Sequence, residues 1–176
     1  AVAFVTNERL ERIDLNGDRR QSLGDVRSPT RLVWGDDGTI YLGDDQSALL
    51  RLFPEQGGPP VEFGTIPADG LCDVLPGGGR ILLQEKRSSI RADFGVLQIY
   101  DLATQERRTV LSQAYEGRLR GETLYFVRDS ALLAVPFDLE SGEVVEEGEI
   151  VVRDLAVDSL FGYGQFALSQ NGVLAY

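Results

Sequence analysis

Histidine is absent from this 176-residue chain, and cysteine and tryptophan occur once each. Without histidine there is no Ser-His-Asp or Cys-His catalytic arrangement, no His-ligated zinc and no imidazole pH switch. The lone Cys72 has no internal disulfide partner, so cysteine usage leaves the redox compartment unread. Positive charge is scarce: 17 Lys and Arg stand against 28 Asp and Glu, a formal net charge of −11. That balance repels a phosphate backbone and an anionic lipid surface, so neither nucleic acid nor membrane is an expected partner. Long apolar runs are missing as well. Ala1–Val5 and Gly172–Tyr176 are too short for a membrane span or a signal-peptide core and read as strands, so no membrane insertion by this segment is expected. Both ends fall inside such runs, and the chain is expected to be a piece of something longer. Finally, no stretch of a dozen residues keeps helical spacing without a Gly, Pro or Asx-rich break.

What is present is a repeated hairpin. Thr30–Trp34, the turn Gly35-Asp36-Asp37-Gly38, and Thr39–Leu42 read as strand, tight turn, strand, with Asp and Gly supplying the turn conformations. The device recurs as Cys72–Leu75, Pro76–Gly79, Arg80–Leu83; as Gly117–Leu119, Arg120-Gly121, Glu122–Phe126; and as Gln165–Leu168, Ser169–Gly172, Val173–Tyr176. The closing glycines Gly38, Gly79, Gly121 and Gly172 return roughly every 40 to 50 residues, the period of a four-stranded propeller blade. A second apolar strand follows or precedes each hairpin, near Leu10–Leu15, Leu49–Phe53, Val96–Leu102 and Leu132–Leu139, and leads to a more polar fourth strand. Charge suits an exposed edge, and one blade cannot bury both faces of its sheet alone, so neighbouring units must stack. The expected fold is therefore an all-β propeller of four-stranded antiparallel blades. It comprises a partial blade over 1–27, blades over 28–66, 67–113 and 114–155, and an opening hairpin over 156–176. Counting gives 17 strands, one more than a closed four-bladed ring, so an arc of a larger ring is expected, with open blade edges available for self-association.

Several stretches are specific enough to carry a family resemblance: Leu10–Gly17, Trp34–Ile40, Leu49–Leu52 with Gly57–Pro60, Leu75–Arg80, Ile99–Thr104, Leu133–Leu139 and Phe166–Tyr176. In this order they resemble the TolB-like, WD-repeat-like propeller that follows the kinase domain in many bacterial serine/threonine protein kinases. The resemblance covers essentially the whole chain, and its most specific piece is Ala134–Leu139 with the later Phe166–Ser169. It implies a sensor or interaction domain, extracytoplasmic and tethered to a kinase through a membrane helix. The chain itself has no glycine-rich phosphate loop, catalytic lysine or catalytic-loop aspartate, so phosphotransfer by this segment is not expected. The insertion Glu85–Phe94 departs from the usual pattern.

Candidate binding residues fall on the loops that join second to third strands and blade to blade, which share one face at the channel mouth. Lys86, Arg87 and Arg91 gather positive charge in an acidic protein, beside Asp93, and suit a carboxylate, a phosphate or an acidic partner. Asp44 and Asp45 lie on the same side and offer oxygen ligands, without the spacing of a calcium loop; Asp36-Asp37 reads as turn chemistry. Phe161 and Tyr163, in a Gly-rich interblade loop, suit contact with a partner, whereas Trp34 suits packing between blades. The inner strands offer mainly apolar residues plus Asp73, and no histidine is present to activate a serine. No catalytic residue, cofactor or bound metal is expected. The function read from these features is a non-catalytic propeller that binds a protein or small ligand. The alternatives are a calcium-dependent, lactonase-like propeller hydrolase and a purely structural assembly module.

Overall fold

A strand whose two faces are both apolar must be covered on both sides, and this chain repeats such strands. In β5 (Thr39–Asp44), Ile40 and Leu42 point to one side and Tyr41 to the other, and all three are buried. The computed structural model describes residues 1–16, 19–27, 29–44, 49–66, 70–86, 95–158, 163–169 and 171–176. Every regular element among them is a strand.

The strands form a series of antiparallel sheets in chain order. The first has three strands, β1 (Val2–Thr6), β2 (Arg9–Ile13) and β3 (Arg20–Asp25). The second joins β4 (Pro29–Trp34), β5, β6 (Leu49–Pro54) and β7 (Val61–Thr65), and the third joins β8 (Gly70–Val74), β9 (Arg80–Lys86), β10 (Gly95–Asp101) and β11 (Arg107–Ser112). The fourth contains β12 (Tyr115–Arg120), β13 (Thr123–Arg128) and the long β14 (Ala131–Asp138). Two short strands divide the outer edge of β14: β15 (Glu143–Val144) pairs with its end and β16 (Glu149–Val152) with its start. Two small hairpins follow, β17 (Val157–Asp158) with β18 (Tyr163–Gly164) and β19 (Ala167–Leu168) with β20 (Leu174–Ala175). This is an all-β propeller of four-stranded antiparallel blades in an open arc. The short β15, not expected from sequence, comes from the Asp138–Gly142 turn. There the Asp138 carboxylate accepts the Glu140 and Ser141 N–H groups at 2.8 and 3.0 Å and folds the chain straight back. Asp101 does the same for Ala103 and Thr104 one blade earlier.

The core consists of layers between sheets. Leu10, Leu23, Ile40, Leu42 and Phe53 fill the first, and Tyr41, Leu50, Leu71, Ile81, Leu83 and Tyr100 the second. Leu82, Leu97, Ile99, Leu124, Phe126 and Phe137 fill the third, and Tyr115, Val127, Leu132, Val152 and Leu155 the fourth. Period-two alternation thus distributes each sheet between two layers, Ile81 and Leu83 to one side of β9 and Leu82 to the other. At about 25 cal/mol per Å² of apolar surface removed from water, these layers are the main source of stability.

A polar clasp ties the second sheet to the third. The turn Pro76–Gly79 lies against Asp36, Asp37 and Tyr41. The Gly77 N–H donates to Asp36 Oδ1 at 2.8 Å, the Gly79 N–H to Tyr41 Oη at 3.4 Å, and the Tyr41 hydroxyl to Asp37 Oδ2 at 2.9 Å. Asp37 also accepts the Thr39 N–H within its own turn. Gly78 has φ +72 and sits where any Cβ would overlap the Asp37 carboxylate, so glycine is required there on two counts. Burial and the Asp37 acceptor together push the Tyr41 hydroxyl up to about 12.

Candidate functional site

The innermost strands of three consecutive sheets, β4, β8 and β12, lie side by side and line a groove of about 500 Å³. Its walls are Arg31–Asp36, Cys72–Val74 with Pro76, and Arg118–Gly121. Each inner strand carries an irregularity in its first half, between Pro29 and Arg31, Leu71 and Asp73, and Tyr115 and Arg118. Such an extra residue breaks simple alternation and re-aims the side chains that follow. In β12 it falls on Glu116, whose φ of +55 is in the left-handed region that residues other than glycine seldom occupy.

The inner strands were expected to be mainly apolar apart from Asp73, and this is where the structure differs: they carry an ionic network of buried carboxylates and partly buried arginines. Arg31 Nη1 and Nη2 donate to Glu116 Oε1 and Oε2 at 2.8 and 3.0 Å, a two-point pair that joins β4 to β12 across 85 residues of sequence. Arg118 Nη2 donates to Glu116 Oε1 at 2.5 Å and its Nη1 to the Cys72 carbonyl at 2.8 Å. The Glu116 N–H donates to Gln84 Oε1 at 2.7 Å, which fixes the backbone beneath the carboxylate. Farther along the groove, Asp73 Oδ2 accepts the Leu119 N–H at 2.8 Å and Arg120 Nη1 at 3.0 Å, while its Oδ1 accepts the Val74 N–H. Arg120 Nη2 reaches the Leu168 carbonyl at 3.0 Å and so fastens the last hairpin to the groove.

Both carboxyls are displaced upward from the ordinary range by burial. Arg31 opposes this at Glu116, and the Leu119 N–H and Arg120 oppose it at Asp73. Cys72 is buried between them, and burial pushes its thiol up to about 12, which keeps it protonated and unreactive. Trp34 forms the wall at the turn end, with its indole N–H on Glu55 Oε2 at 3.2 Å and Arg12 over its ring at 5.9 Å. At the other end, beyond the Arg31–Glu116 pair, a hollow of about 10 Å³ is bounded by Thr30, Gly70, Gln84 and Tyr163 and has room for about one water. Arg31 thus borders both the large groove and the small hollow, while Glu116 borders the hollow.

Of the candidates from sequence, Tyr163 is placed in β18 beside the small hollow, with the Arg31 guanidinium 5.5 Å above its ring. Arg87, Arg91, Asp93, Asp45 and Phe161 lie outside the described residues, as do the side chains of Lys86 and Asp44. Sequence reasoning missed Arg31, Glu116, Arg118 and Arg120. The available signal was the alternation Glu116, Arg118, Arg120 on an inner strand, three charged residues at period two where apolar ones are usual. Among the described residues no group of three or more Asp, Glu or Cys is placed to hold a metal ion.

No protein-family model matches the chain, and no curated protein sequence matches it. Solved structures do. TolB from Acinetobacter baumannii is similar at 15% identity with a TM-score of 0.68, over 93% of this chain and 41% of that one. The calcium-binding protein regucalcin from Agrobacterium tumefaciens is similar at 15% identity with a TM-score of 0.59, over 95% of this chain and 59% of that one. Hydrazine synthase from Kuenenia stuttgartiensis follows at 15% identity and a TM-score of 0.55, over 94% of this chain and 47% of that one. The chain spans about half the length of these structures. At such identities the likeness is one of fold, and the fold is a TolB-like β-propeller.

Proposed function

We propose that this chain is a non-catalytic binding domain that takes a small-molecule ligand in the axial groove and serves as the sensor of a membrane-anchored bacterial serine/threonine kinase, on the extracytoplasmic side. The observation that carries the binding reading is the groove itself: about 500 Å³, within the size range of small-molecule sites, with Arg31, Asp73, Arg118 and Arg120 on its walls in a chain of net charge −11. Two arginines that hold one buried carboxylate are a costly arrangement for stability alone, since apolar replacements of such groups often leave a fold as stable or more so. The kinase setting rests on the residue-level resemblance of Ala134–Leu139 and Phe166–Tyr176, which here form β14 with its turn and the last hairpin.

A calcium-dependent hydrolase is the second reading, and the similarity to a calcium-binding regucalcin favours it. Against it, the carboxylates on the inner strands are already committed, Glu116 to Arg31 and Arg118 and Asp73 to Arg120. The test is to incubate the purified chain with lactone and phosphoester substrates in millimolar calcium and to follow thermal stability in the same titration. The binding reading expects no turnover and no calcium-dependent rise in the midpoint; turnover, or stabilisation that follows calcium saturation, overturns it.

A further inference from the structure

The chemistry of the groove points to a ligand class, an inference that rests on the groove being the binding site. The Glu116 carboxylate is held by one arginine from another sheet and one from its own strand. Arg31 reaches it from β4 with two parallel donors, Arg118 reaches it from β12, and the Tyr163 ring lies against the Arg31 guanidinium. The donors are ordered by contacts independent of Glu116: Arg118 by the Cys72 and Gly117 carbonyls, Arg31 by the aromatic ring. Glu116, by contrast, arrives with a left-handed backbone at a strand irregularity and with almost no exposure. Arg31 and Arg118 line the open groove, and Glu116 lines the small hollow behind Arg31. A planar fork of guanidinium donors matches any carboxylate, not only the one now present.

We propose that Arg31 and Arg118 form a recognition clamp for the carboxylate of a small organic acid, and that the Glu116 side chain is a built-in occupant that the ligand displaces on binding. The remainder of the acid lies in the groove between Cys72–Val74 and Leu119–Gly121, toward Arg120, where a second acidic group finds a second guanidinium. Displacement gives the site a readout, because Glu116 bridges sheets two apart in the arc. Releasing it uncouples β4 from β12, a local change that an attached domain can sense.

Succinate is the probe, with acetate, a neutral polyol and a diamine at matched ionic strength as comparisons, read by calorimetry and by the arginine side-chain NMR signals. With Glu116 in the clamp for all but a minor fraction of the time, succinate binds the wild type weakly. Glu116→Gly suits the positive φ and empties the clamp, so it binds succinate at least about tenfold tighter, and adding Arg31→Met abolishes the gain. Glu116→Gln, which keeps the shape and removes the charge, moves the same way and serves if the glycine variant does not fold. Equal affinity of wild type and Glu116→Gly, or binding that survives Arg31→Met, overturns the clamp. So does acetate rescue of Glu116→Gly with no succinate binding to the wild type, which makes Glu116 a structural anchor only. If the polyol or the diamine enters the groove and succinate does not, the clamp falls and the groove stands; if no probe of any charge perturbs the groove, the binding reading itself fails.

Discussion

Replacing Gly78 with alanine tests the clasp between the second and third sheets, and its neighbour Gly79 supplies the control. Both residues have positive φ, +72 and +74, so alanine at either costs about 1–2 kcal/mol for the left-handed backbone. Beyond that they differ. A Cβ at Gly79 meets nothing within 4 Å, whereas one at Gly78 overlaps the Asp37 carboxylate and comes to 2.8 Å from Tyr41 Oη. Asp37 must then swing away and leave the Tyr41 hydroxyl, 2% exposed as a residue, without its acceptor. An unsatisfied buried hydroxyl costs about 1–3 kcal/mol, which is the expected excess of Gly78→Ala over Gly79→Ala. For a chain of this length that excess is about 2–12 °C in Tm. Urea unfolding of both variants measures it, and Tyr41→Phe in the Gly78→Ala background should recover part of the loss. Equal losses at the two glycines would refute the steric argument and reduce the clasp to a turn preference.

Other consequences follow from the buried groups. Burial raises the Asp73 carboxyl, so the native state takes up its proton more readily than the unfolded chain does. This contribution therefore lowers stability as pH rises from about 4 through the raised value, and Asp73→Asn should flatten that limb of the stability curve in a pH series of urea melts. Asp101 and Asp138 have the opposite sign: backbone N–H groups hold their carboxyls below the ordinary range, so their contribution is present at neutral pH and lost only under more acidic conditions. Cys72, buried and with its thiol pushed up to about 12, should resist iodoacetamide at pH 8 in the native state and react fully in 6 M urea; native-state labelling at the rate of a free thiol would contradict the closed packing around Leu82 and Leu119.

The architecture was legible because it is written in local signals. Turn glycines such as Gly38 and Gly79 need positive φ whatever surrounds them, and strands such as Ile81–Leu83, apolar on both faces, require a sheet on each side. The short strand β15 escaped because two residues carry no period, and its pairing depends on the Asp138 turn. The ionic network escaped for a different reason. Glu116 reads as a loop residue before a strand starting at Gly117, and only the extra residue in β12 brings it inside and toward the axis. Its partner Arg31 lies on another sheet, a relation set by the stacking of blades and not by any spacing in the chain. Polar residues on the innermost strands are thus where local pattern and tertiary placement part.

The central claim, that the axial groove is the binding site, is tested most directly by backbone and arginine NMR spectra of the chain titrated with succinate. The account predicts perturbations grouped on Arg31–Asp36, Cys72–Val74 and Arg118–Gly121, with the Glu116 amide shifting along with them. Perturbations grouped instead at the ends of β5 and β9, at Asp44 and Lys86, with the groove signals unmoved, would contradict it.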